Sequence, residues 1–195
     1  MTQADRRVTR TLASVRRVAG RLLLDKGWDQ VTHAHVALAS GYSRATLYKH
    51  WPKPVDLLRA AFLHVGGFSH GELTGNLRDD LVSEMEAFRR VLIDEKLAVA
   101  LVALADRSAA DPEIGSIRDQ FLGEGQVLLS QLIEAGLRSR DVRAEVLPGP
   151  AVDMLSGALV YRIAILGAAV DRAYVEAIVD TFLRGVIAPG RSDSS

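Results

Sequence analysis

The fifteen residues "SGYSRATLYKHWPKP", positions 40–54, hold the clearest local signals in the chain. Gly41 can adopt the left-handed conformation that ends a helix, and Ser43 is a good N-cap for the helix that follows. Pro52 disfavours helical geometry in the residue before it, so this second helix ends there. Pro54 fits the first turn of a further helix. The stretch therefore predicts short helices separated by a glycine turn and a proline break.

The residues before this stretch complete the pattern. Apolar residues recur at helical spacing over 12–23, and this helix is expected to end at Lys26, where a glycine follows a basic last turn. Thr32 is a good N-cap for a short helix through Ala39. Two short helices joined by a glycine turn form a helix-turn-helix, a motif whose second helix enters the major groove of DNA.

The second helix of this motif has two distinct faces. On a helical wheel, one arc of roughly 140° holds four small or polar side chains: Ala45, Thr46, Lys49 and His50. Leu47 and Trp51 lie on the opposite side, and Arg44 and Tyr48 lie on the flanks. We therefore expect Leu47 and Trp51 to anchor the helix in the core while the polar arc faces DNA.

The polar side chains have the chemistry that base and phosphate recognition requires. Lys49 and His50 can donate hydrogen bonds to guanine or phosphate, and Thr46 offers a hydroxyl and a methyl group that suits thymine. Arg44 is long enough to reach a base. Tyr48 can donate its hydroxyl to a phosphate, a kind of contact that fixes position rather than sequence.

Charge is distributed unevenly along a chain whose net charge is zero. Residues 1–64 hold 11 Lys and Arg against four Asp, a net +7, and the remaining residues hold 13 basic and 20 acidic residues, a net −7. This asymmetry suggests that the first part meets a polyanion, although chance segregation of charge on solvated faces gives the same totals.

The rest of the chain is also predicted to be helical, without strand signals. Four glycines in 66–76 indicate a boundary, so we expect a DNA-binding domain at 1–64, a second helical domain at 65–188 and a disordered tail at 189–195. Five further helical segments are predicted: 77–94, 95–109, most of 111–139, 150–169 and 172–187. The fold is therefore expected to be all-α, with a three-helix N-terminal domain and a helical C-terminal domain.

The composition excludes several classes of protein. The chain has no cysteine, which rules out disulfides and thiolate metal sites and suits the cytoplasm. Its longest apolar run, 151–170, is interrupted by charged residues, so no membrane span is expected, and no signal peptide is visible. Neither a nucleophile elbow, a pair of carboxylates nor a phosphate loop is present, and we expect no enzyme activity, cofactor or metal.

The segment "LLLDKGWDQVTHAHVALASGYSRATLYKHWPKPVDLL", residues 22–58, resembles the DNA-binding domain of the tetracycline-repressor (TetR) family. The resemblance rests on a glycine–aromatic pair after the first helix, a threonine opening the second, the A-x-x-x-G turn, and "TLYKHW" followed by proline. Residues 11–64 match this arrangement. The later helices fit the family's ligand-binding and dimerisation region more loosely.

The resemblance implies which residues meet DNA. Those expected at phosphates, bases or the groove edge are Thr32, His33, Ser43, Arg44, Ala45, Thr46, Tyr48, Lys49 and His50. Two positions depart from the family pattern. Ala34 stands where the second helix usually carries a basic residue, and Pro54 stands where the fourth helix usually begins with lysine. Lys53 is a possible substitute for that lysine.

The resemblance also implies a homodimer that binds a palindromic operator and responds to a small, mainly apolar effector. Candidate pocket residues are Met85, Phe88, Phe121, Met154, Tyr161 and Arg162, for each of which ordinary packing or, for Arg162, contact with solvent or a dimer partner is the alternative. We expect the last two helices to form the dimer interface. The residues expected there are Gly157, Ala158, Val175, Ile178 and Phe182, and Gly167 is also expected to permit close helix approach.

Several alternatives remain open at this stage. His33 and His35 point about 200° apart on a helix, which argues against a shared metal ion. Trp28 is expected in the core, Tyr48 can be a buried core residue, and His64 and His70 are expected at a solvated helix end. The alternative function is a helical ligand-binding or interaction module that has lost specific DNA binding.

Overall fold

The computed structural model describes residues 3–65, 72–94 and 96–186 of the 195-residue chain. These residues form ten α-helices and no β-strand, which confirms the all-α prediction. Their bounds are α1 Gln3–Lys26, α2 His33–Ser40, α3 Arg44–His50, α4 Pro54–Val65, α5 Leu77–Ile93, α6 Leu97–Ser108, α7 Pro112–Gly125, α8 Val127–Ser139, α9 Pro148–Val160 and α10 Arg172–Val186. Among them, no helix combines the length and apolar character that crossing a bilayer requires.

The described residues divide into two compact units. The first holds 3–65 and 96–122, and the second holds 72–94 and 123–186. Residues 96–122 therefore group with the N-terminal helices, whereas the expected linear division assigned them to the C-terminal domain. The boundary between a DNA-binding domain at 1–64 and a second domain at 65–188 stays a prediction. The tail at 189–195 and His70 lie outside the described residues.

In the first unit, α1 packs against α2, α4 and α6. Val15, Ala19 and Leu23 repeat at four-residue spacing on one face of α1 and are almost fully buried. The start of α6 and the end of α6 are tied to the N-terminal helices by ion pairs from Lys96 to Asp25 and from Arg107 to Asp29. These contacts explain why α6 belongs to this unit.

Trp28 contacts both segments of the first unit, the N-terminal helices and residues 96–122. It begins a short 3-10 helix between α1 and α2, and its ring centroid lies 5.6 Å from that of Phe62 in α4. Phe62 in turn meets Phe121 of α7 edge-on at 6.0 Å, and the guanidinium of Arg107 lies over the Trp28 ring at 5.0 Å. The expected packing of Trp28 behind the helix-turn-helix is therefore present, although its ring is only half-buried.

In the second unit, α5 packs against α8, α9 and α10. Arg78 of α5 binds Asp180 of α10 through two hydrogen bonds, of 2.6 Å from Nε and 3.1 Å from Nη2. The hydrogen bond that Arg78 donates lowers the pKa of Asp180. Asp80 is buried and accepts hydrogen bonds from Thr74 and Gly75, which fixes the chain entering α5.

Two predicted helical segments differ from the helices observed. The segment 111–139 is two helices separated at Gln126, and α1, for which no start was predicted, begins at Gln3. The segment 150–169 starts two residues earlier and is regular only as far as Val160. A π-helical turn, Tyr161–Ile165, follows, and Gly167 with φ 60° is in the left-handed region. Gly167 thus lies beyond the helix and is exposed.

Candidate nucleic-acid interface

The turn between α2 and α3 is built by three local hydrogen-bonding devices. The Thr32 side chain accepts a hydrogen bond from the His35 backbone N–H at 3.2 Å and caps α2. Gly41 closes α2 with φ 74°, donating its N–H to the Ala37 carbonyl at 3.0 Å. Ser43 caps α3 by accepting from the Thr46 N–H at 3.1 Å. The predicted glycine turn and both predicted caps are therefore formed.

The two faces of α3 separate as the helical wheel predicts. Leu47 is fully buried and Trp51 is 6% exposed, so they anchor the helix. On the opposite arc Ala45 and Lys49 are exposed, and Arg44 is exposed on the flank. An anchored helix that presents two cations beside a small residue can approach the edges of base pairs in a major groove.

Thr46 and His50 are half-buried members of the polar arc. The Thr46 hydroxyl lies 2.9 Å from the Ser43 hydroxyl, so the two can share one hydrogen bond and still offer a second to a ligand. The His50 ring packs edge-on against Trp51, with centroids 5.8 Å apart. Both side chains therefore have restricted orientations and partial access to solvent.

The side chain of His33 points into the protein, and this corrects the expectation that it contacts a phosphate. It is 5% exposed, and its Nε2 lies 2.6 Å from the carbonyl oxygen of Trp51. A carbonyl oxygen can only accept, so Nε2 carries the proton and donates. The ring also stacks on Tyr48, with centroids 4.1 Å apart and an interplanar angle of 14°. His33 therefore holds the start of α2 to both Tyr48 and the end of α3.

Tyr48 is not a core residue, since 51% of it is exposed. One face of its ring is covered by His33, which leaves the ring at the surface of the motif in a defined orientation. His35 is exposed, and its Nδ1 lies 3.2 Å from the carbonyl oxygen of Gln30. The two histidines thus point to different carbonyl groups, as the wheel predicts for residues two apart.

Lys53 is exposed but paired. Its Nζ lies 2.6 Å from Oε1 of Glu113, in the first turn of α7, and the hydrogen bond to Glu113 raises the pKa of Lys53. Its backbone N–H donates to Asp56 at 3.0 Å, which organises the start of α4. Lys53 therefore precedes α4, and its ammonium group is paired with a carboxylate of the same chain.

A further cation, Arg59 of α4, also binds α7. Arg59 donates to the Ser116 hydroxyl at 2.9 Å and to the Gln120 side-chain oxygen at 3.3 Å. Together with Glu113, these acceptors recur at helical spacing on one face of α7. The cations Lys53 and Arg59 are thus both bound by polar side chains on one face of α7.

An open groove of about 720 Å³ lies beside the end of α3. Its lining residues are Arg16, His50, Trp51, Pro52, Asp56, Arg59, Ala60, Leu63 and His64. Arg16 comes from α1, so the groove places a cation of α1 near the half-buried His50 of the motif. His64 is exposed at the end of α4, where the sequence predicts a solvated histidine.

The candidate pocket residues do not share one environment. Met85 is 1% exposed and Phe88 is half-buried, both in the second unit, whereas Phe121 belongs to the core of the first. Met154 and Tyr161 are 64% and 57% exposed, which corrects their assignment to an enclosed pocket.

Arg162 is half-buried and satisfied within its own chain. Its guanidinium lies 4.3 Å from the centroid of the Tyr174 ring, and its Nε donates to the Ala169 carbonyl at 3.3 Å. Neither a dimer partner nor an acidic ligand is needed to explain a cation in this position.

The candidate dimer residues also separate into two groups. Val175 and Phe182 are buried in their own protomer, at 0% and 6% exposure, which corrects their assignment to an interface. Gly157 is exposed, and Ala158 and Ile178 are half-buried, so these three can contact a partner. The wheel identified the apolar stripe of α10 correctly but could not tell an internal contact from an external one.

The exposed apolar residues of the second unit include a row along α9 and the π-helical turn. The row comprises Met154, Tyr161, Ile165 and Leu166, each more than half exposed. Gly157 lies within it, and a Cβ added there would meet no atom within 4 Å.

Comparisons with known proteins agree with this geometry. Residues 16–61 match the family described as bacterial regulatory proteins, tetR family, and residues 72–182 match the tetracyclin repressor-like C-terminal domain. A DNA-binding transcriptional repressor TetR from Mycobacteroides abscessus is 28% identical over 184 residues, which cover 91% of this chain and 94% of that protein.

Two solved structures extend the comparison. The crystal structure of a TetR-family transcription regulator has a TM-score of 0.71 and 30% identity, covering 91% of this chain and 99% of the other. A transcriptional regulator from Saccharomonospora viridis, crystallised with choline, has a TM-score of 0.66 and 16% identity, covering 92% and 99%, and shares the fold. The chain is a helix-turn-helix transcriptional regulator and belongs to the TetR family.

Two features of this site were not found from the sequence. The buried role of His33 depends on the carbonyl of Trp51, 18 residues away, and the partner of Lys53 is 60 residues away. Neither separation produces a local pattern. The position of His33 did suggest a second interpretation. The first residue of a helix in a compact helix-turn-helix can pack against the neighbouring helix as well as bind a phosphate.

Proposed function

We propose that this regulator binds a palindromic operator as a homodimer and represses transcription until a small effector weakens that binding. The observation that carries the proposal is the geometry of α3. Leu47 and Trp51 fix one face in the core, Ala45 and Lys49 are exposed on the opposite arc, and Arg44 is exposed on the flank. Capping at both ends of the α2–α3 turn makes this face rigid, which base recognition requires.

The contacts assigned to α3 differ in what they contribute. Arg44 and Lys49 are the candidates for base edges, with Ala45 permitting close approach and Thr46 offering its hydroxyl or methyl group. Tyr48, Ser43 and the backbone N–H groups at the start of α2 are candidates for phosphates. His50 is restricted to the groove edge by its contact with Trp51.

The homodimer is supported by the exposed apolar row on α9. A row of large, exposed apolar side chains favours burial against a second surface. A two-fold axis near Gly157 brings the row against its own copy, because an isologous contact uses the same patch on both subunits. Gly157 has room for close helix approach. The half-sites of a palindromic operator are about one helical turn apart, roughly 34–36 Å, and this is the separation that two copies of α3 must match.

The effector part of the proposal has separate support. A protein with the same fold was crystallised with choline, so the helical arrangement accommodates a small molecule in that protein. In this chain the second unit supplies the apolar side chains Met85 and Phe88, which suit a mainly apolar effector. An effector shifts the operator equilibrium only as far as its affinity differs between the DNA-bound and free conformations.

The proposal is tested by selecting bound fragments from a pool of random DNA with the full-length protein. We expect an inverted repeat and binding that weakens as salt rises. Arg44→Ala and Lys49→Ala should each relax base preference at specific positions of the repeat. If both variants keep full sequence preference, α3 is not the reading helix.

A folded dimer that enriches no sequence would instead support the alternative function, a helical ligand-binding module without specific DNA binding. The pairing of Lys53 with Glu113 and the alanine at position 34 are the observations that favour it. Sizing of the same preparation distinguishes a dimer from a monomer, so loss of folding and loss of DNA binding are separated.

A further inference from the structure

The first helix carries an unusual concentration of positive charge. Residues 1–24 contain six arginines and one acidic residue, Asp5. On a helical wheel, four of the arginines fall within an arc of roughly 60°: Arg6, Arg10, Arg17 and Arg21. They form a stripe, here called the arginine stripe, along more than four turns of α1.

The arginine stripe lies on the outer side of α1. All four members are exposed, whereas Val15, Ala19 and Leu23 on the opposite side are buried. No ion pair joins any member of the stripe to another residue that the structure describes. Its charge is therefore available to an external polyanion.

The direction of α1 within the first unit determines which end of the stripe is near DNA. Gly20 packs against the end of α4, where an added Cβ would lie 2.8 Å from Val65 Cγ1 and 3.6 Å from the Ala61 carbonyl. Arg16, one turn earlier, lines the groove that also includes Asp56 and His50. Moving towards the N-terminus of α1 thus leads from the end of α4 towards its start and towards the end of α3.

The early turns of α1 extend beyond these contacts. From Arg16 back to Arg6 the helix axis spans about 15 Å. This part of α1 precedes the segment that matches the family's DNA-binding domain, which begins at residue 16. Arg16 is the residue of α1 that lines the groove beside His50, and the earlier turns of α1 lie on the N-terminal side of it.

We propose that the first turns of α1 form an arm in which Arg6 and Arg10 bind phosphates of the duplex flanking each operator half-site. The inference rests on the proposed function, because it needs a DNA complex made by α3. Charge complementarity supports it, since duplex DNA carries one negative charge per ~1.7 Å of its axis. Continuity with the α3 interface through Arg16 and His50 supports it as well.

The same stripe supplies a matched control. Arg17 and Arg21 have the same chemistry, exposure and helix face as Arg6 and Arg10. They lie about 10 Å or more further along the axis of α1, towards the end of α4 and away from its start. If the arm binds phosphates, removing Arg6 and Arg10 should weaken DNA binding more than removing Arg17 and Arg21, although both changes remove the same charge.

The experiment compares Arg6→Ala/Arg10→Ala with Arg17→Ala/Arg21→Ala in the full-length protein on a selected operator with long flanks. For the arm variant we expect the slope of log K against log salt to become less steep by about 0.9–1.8 per protomer. Its affinity at ~0.1 M salt should fall about tenfold or more and converge on that of the unaltered protein near ~1 M salt. Hydroxyl-radical protection should shorten on the outer flanks.

The outcomes separate the arm from the proposed function. Equal reductions in slope for both double variants would show a general charge effect and overturn the arm, and so would an unchanged slope for the arm variant. Weaker binding to an acidic protein, with operator binding unaltered, would assign the stripe to another partner and also overturn it. If the unaltered protein selects no operator, the proposed function itself fails.

Discussion

Lys53 Nζ lies 2.6 Å from Glu113 Oε1, so the first turn of α7 holds the cation that precedes α4. Both side chains are more than half exposed, which keeps the contribution of this ion pair to stability small. The hydrogen bond that Lys53 donates to Glu113 raises the pKa of Lys53 above the ordinary 10.5. The ammonium group therefore stays charged throughout the neutral range. A DNA phosphate and Glu113 therefore compete for one cation.

Removing the competing carboxylate should strengthen DNA binding. Glu113→Gln leaves an amide of the same size but no charge, so Lys53 is released for a phosphate. We expect operator affinity to rise by about two- to fivefold at low salt, because breaking one exposed ion pair changes the free energy by a comparable amount. Fluorescence anisotropy with a labelled operator measures this change.

The control for net charge is Asp106→Asn, which removes an exposed carboxylate from α6 in the same unit. An equal gain in affinity from both variants would mean that total charge, rather than release of Lys53, is responsible. Lys53→Met supplies the complementary test, since it should abolish the effect of Glu113→Gln.

His33 should contribute to the stability of the fold. His33→Phe keeps a flat ring beside Tyr48 but leaves the carbonyl of Trp51 without its donor. We expect the free energy of unfolding to fall by about 1–3 kcal/mol, the cost of an unsatisfied buried acceptor. Urea unfolding followed by tryptophan fluorescence measures it as a lower midpoint at unchanged slope. His35→Phe, at an exposed position of the same helix, should change stability by less than about 0.5 kcal/mol.

Close packing between α1 and α4 depends on Gly20. Gly20→Ala places a Cβ 2.8 Å from Cγ1 of the buried Val65 and should destabilise the protein by about 1–3 kcal/mol. Gly123→Ala is the matched substitution, because a Cβ there meets nothing within 4 Å and lies inside α7. Helix propensity then predicts a gain of about 0.5–1 kcal/mol. Thermal unfolding of the two variants should move in opposite directions.

The link between α5 and α10 should give a pH-dependent component of stability. The hydrogen bond from Arg78 lowers the folded-state pKa of Asp180 below its ordinary 3.8. A lowered pKa means stabilisation that is present above 3.8 and lost as pH falls through the folded value. Asp180→Asn should therefore reduce the free energy of unfolding by about 0.5–1 kcal/mol at neutral pH, with the difference shrinking below pH 3.8.

A suitable comparison is Glu134→Gln, which breaks a longer exposed pair with Arg138 at 3.8 Å. Its effect should be smaller at every pH. A loss of stability in Asp180→Asn that stays constant down to strongly acid pH would contradict the assigned role of the carboxylate.

The exposed row on α9 should control assembly. Met154→Glu/Ile165→Glu introduces like charges near the proposed two-fold axis, and we expect the dimer dissociation constant to rise by about a hundredfold or more. Analytical ultracentrifugation measures it, and circular dichroism checks that the protomer is still folded. Val99→Glu alters another exposed apolar residue, 75% exposed in the first unit, and should leave assembly unchanged. Unaltered dimerisation of the double variant would move the interface elsewhere.

Local signals in the sequence predicted the local parts of the fold. Gly41, Ser43 and the prolines at 52 and 54 act through their own backbone geometry, and the helices that they delimit lie within one or two residues of the expected bounds. The two-faced character of α3 followed from periodicity alone. These features need no knowledge of distant residues.

The parts that the sequence did not predict depend on partners that are distant in the chain. Val175 and Met154 are both apolar residues at helical spacing, yet one is fully buried and the other is 64% exposed. Periodicity identifies an apolar face but not what covers it. The pairing of Lys53 with Glu113 and the hydrogen bond from His33 to Trp51 have the same origin in tertiary packing.

The π-helical turn after α9 has a consequence for how this region tolerates change. The Leu166 N–H bonds to the Tyr161 carbonyl at 3.0 Å, five residues back, so the turn accommodates one residue more than an α-helical turn does. Deleting one residue there converts the wide turn into an ordinary α-helical one and shortens the path to α10 by one residue. The backbone can absorb such a shortening, but Arg162 then loses its place over Tyr174, and the direction in which the chain enters α10 changes with it.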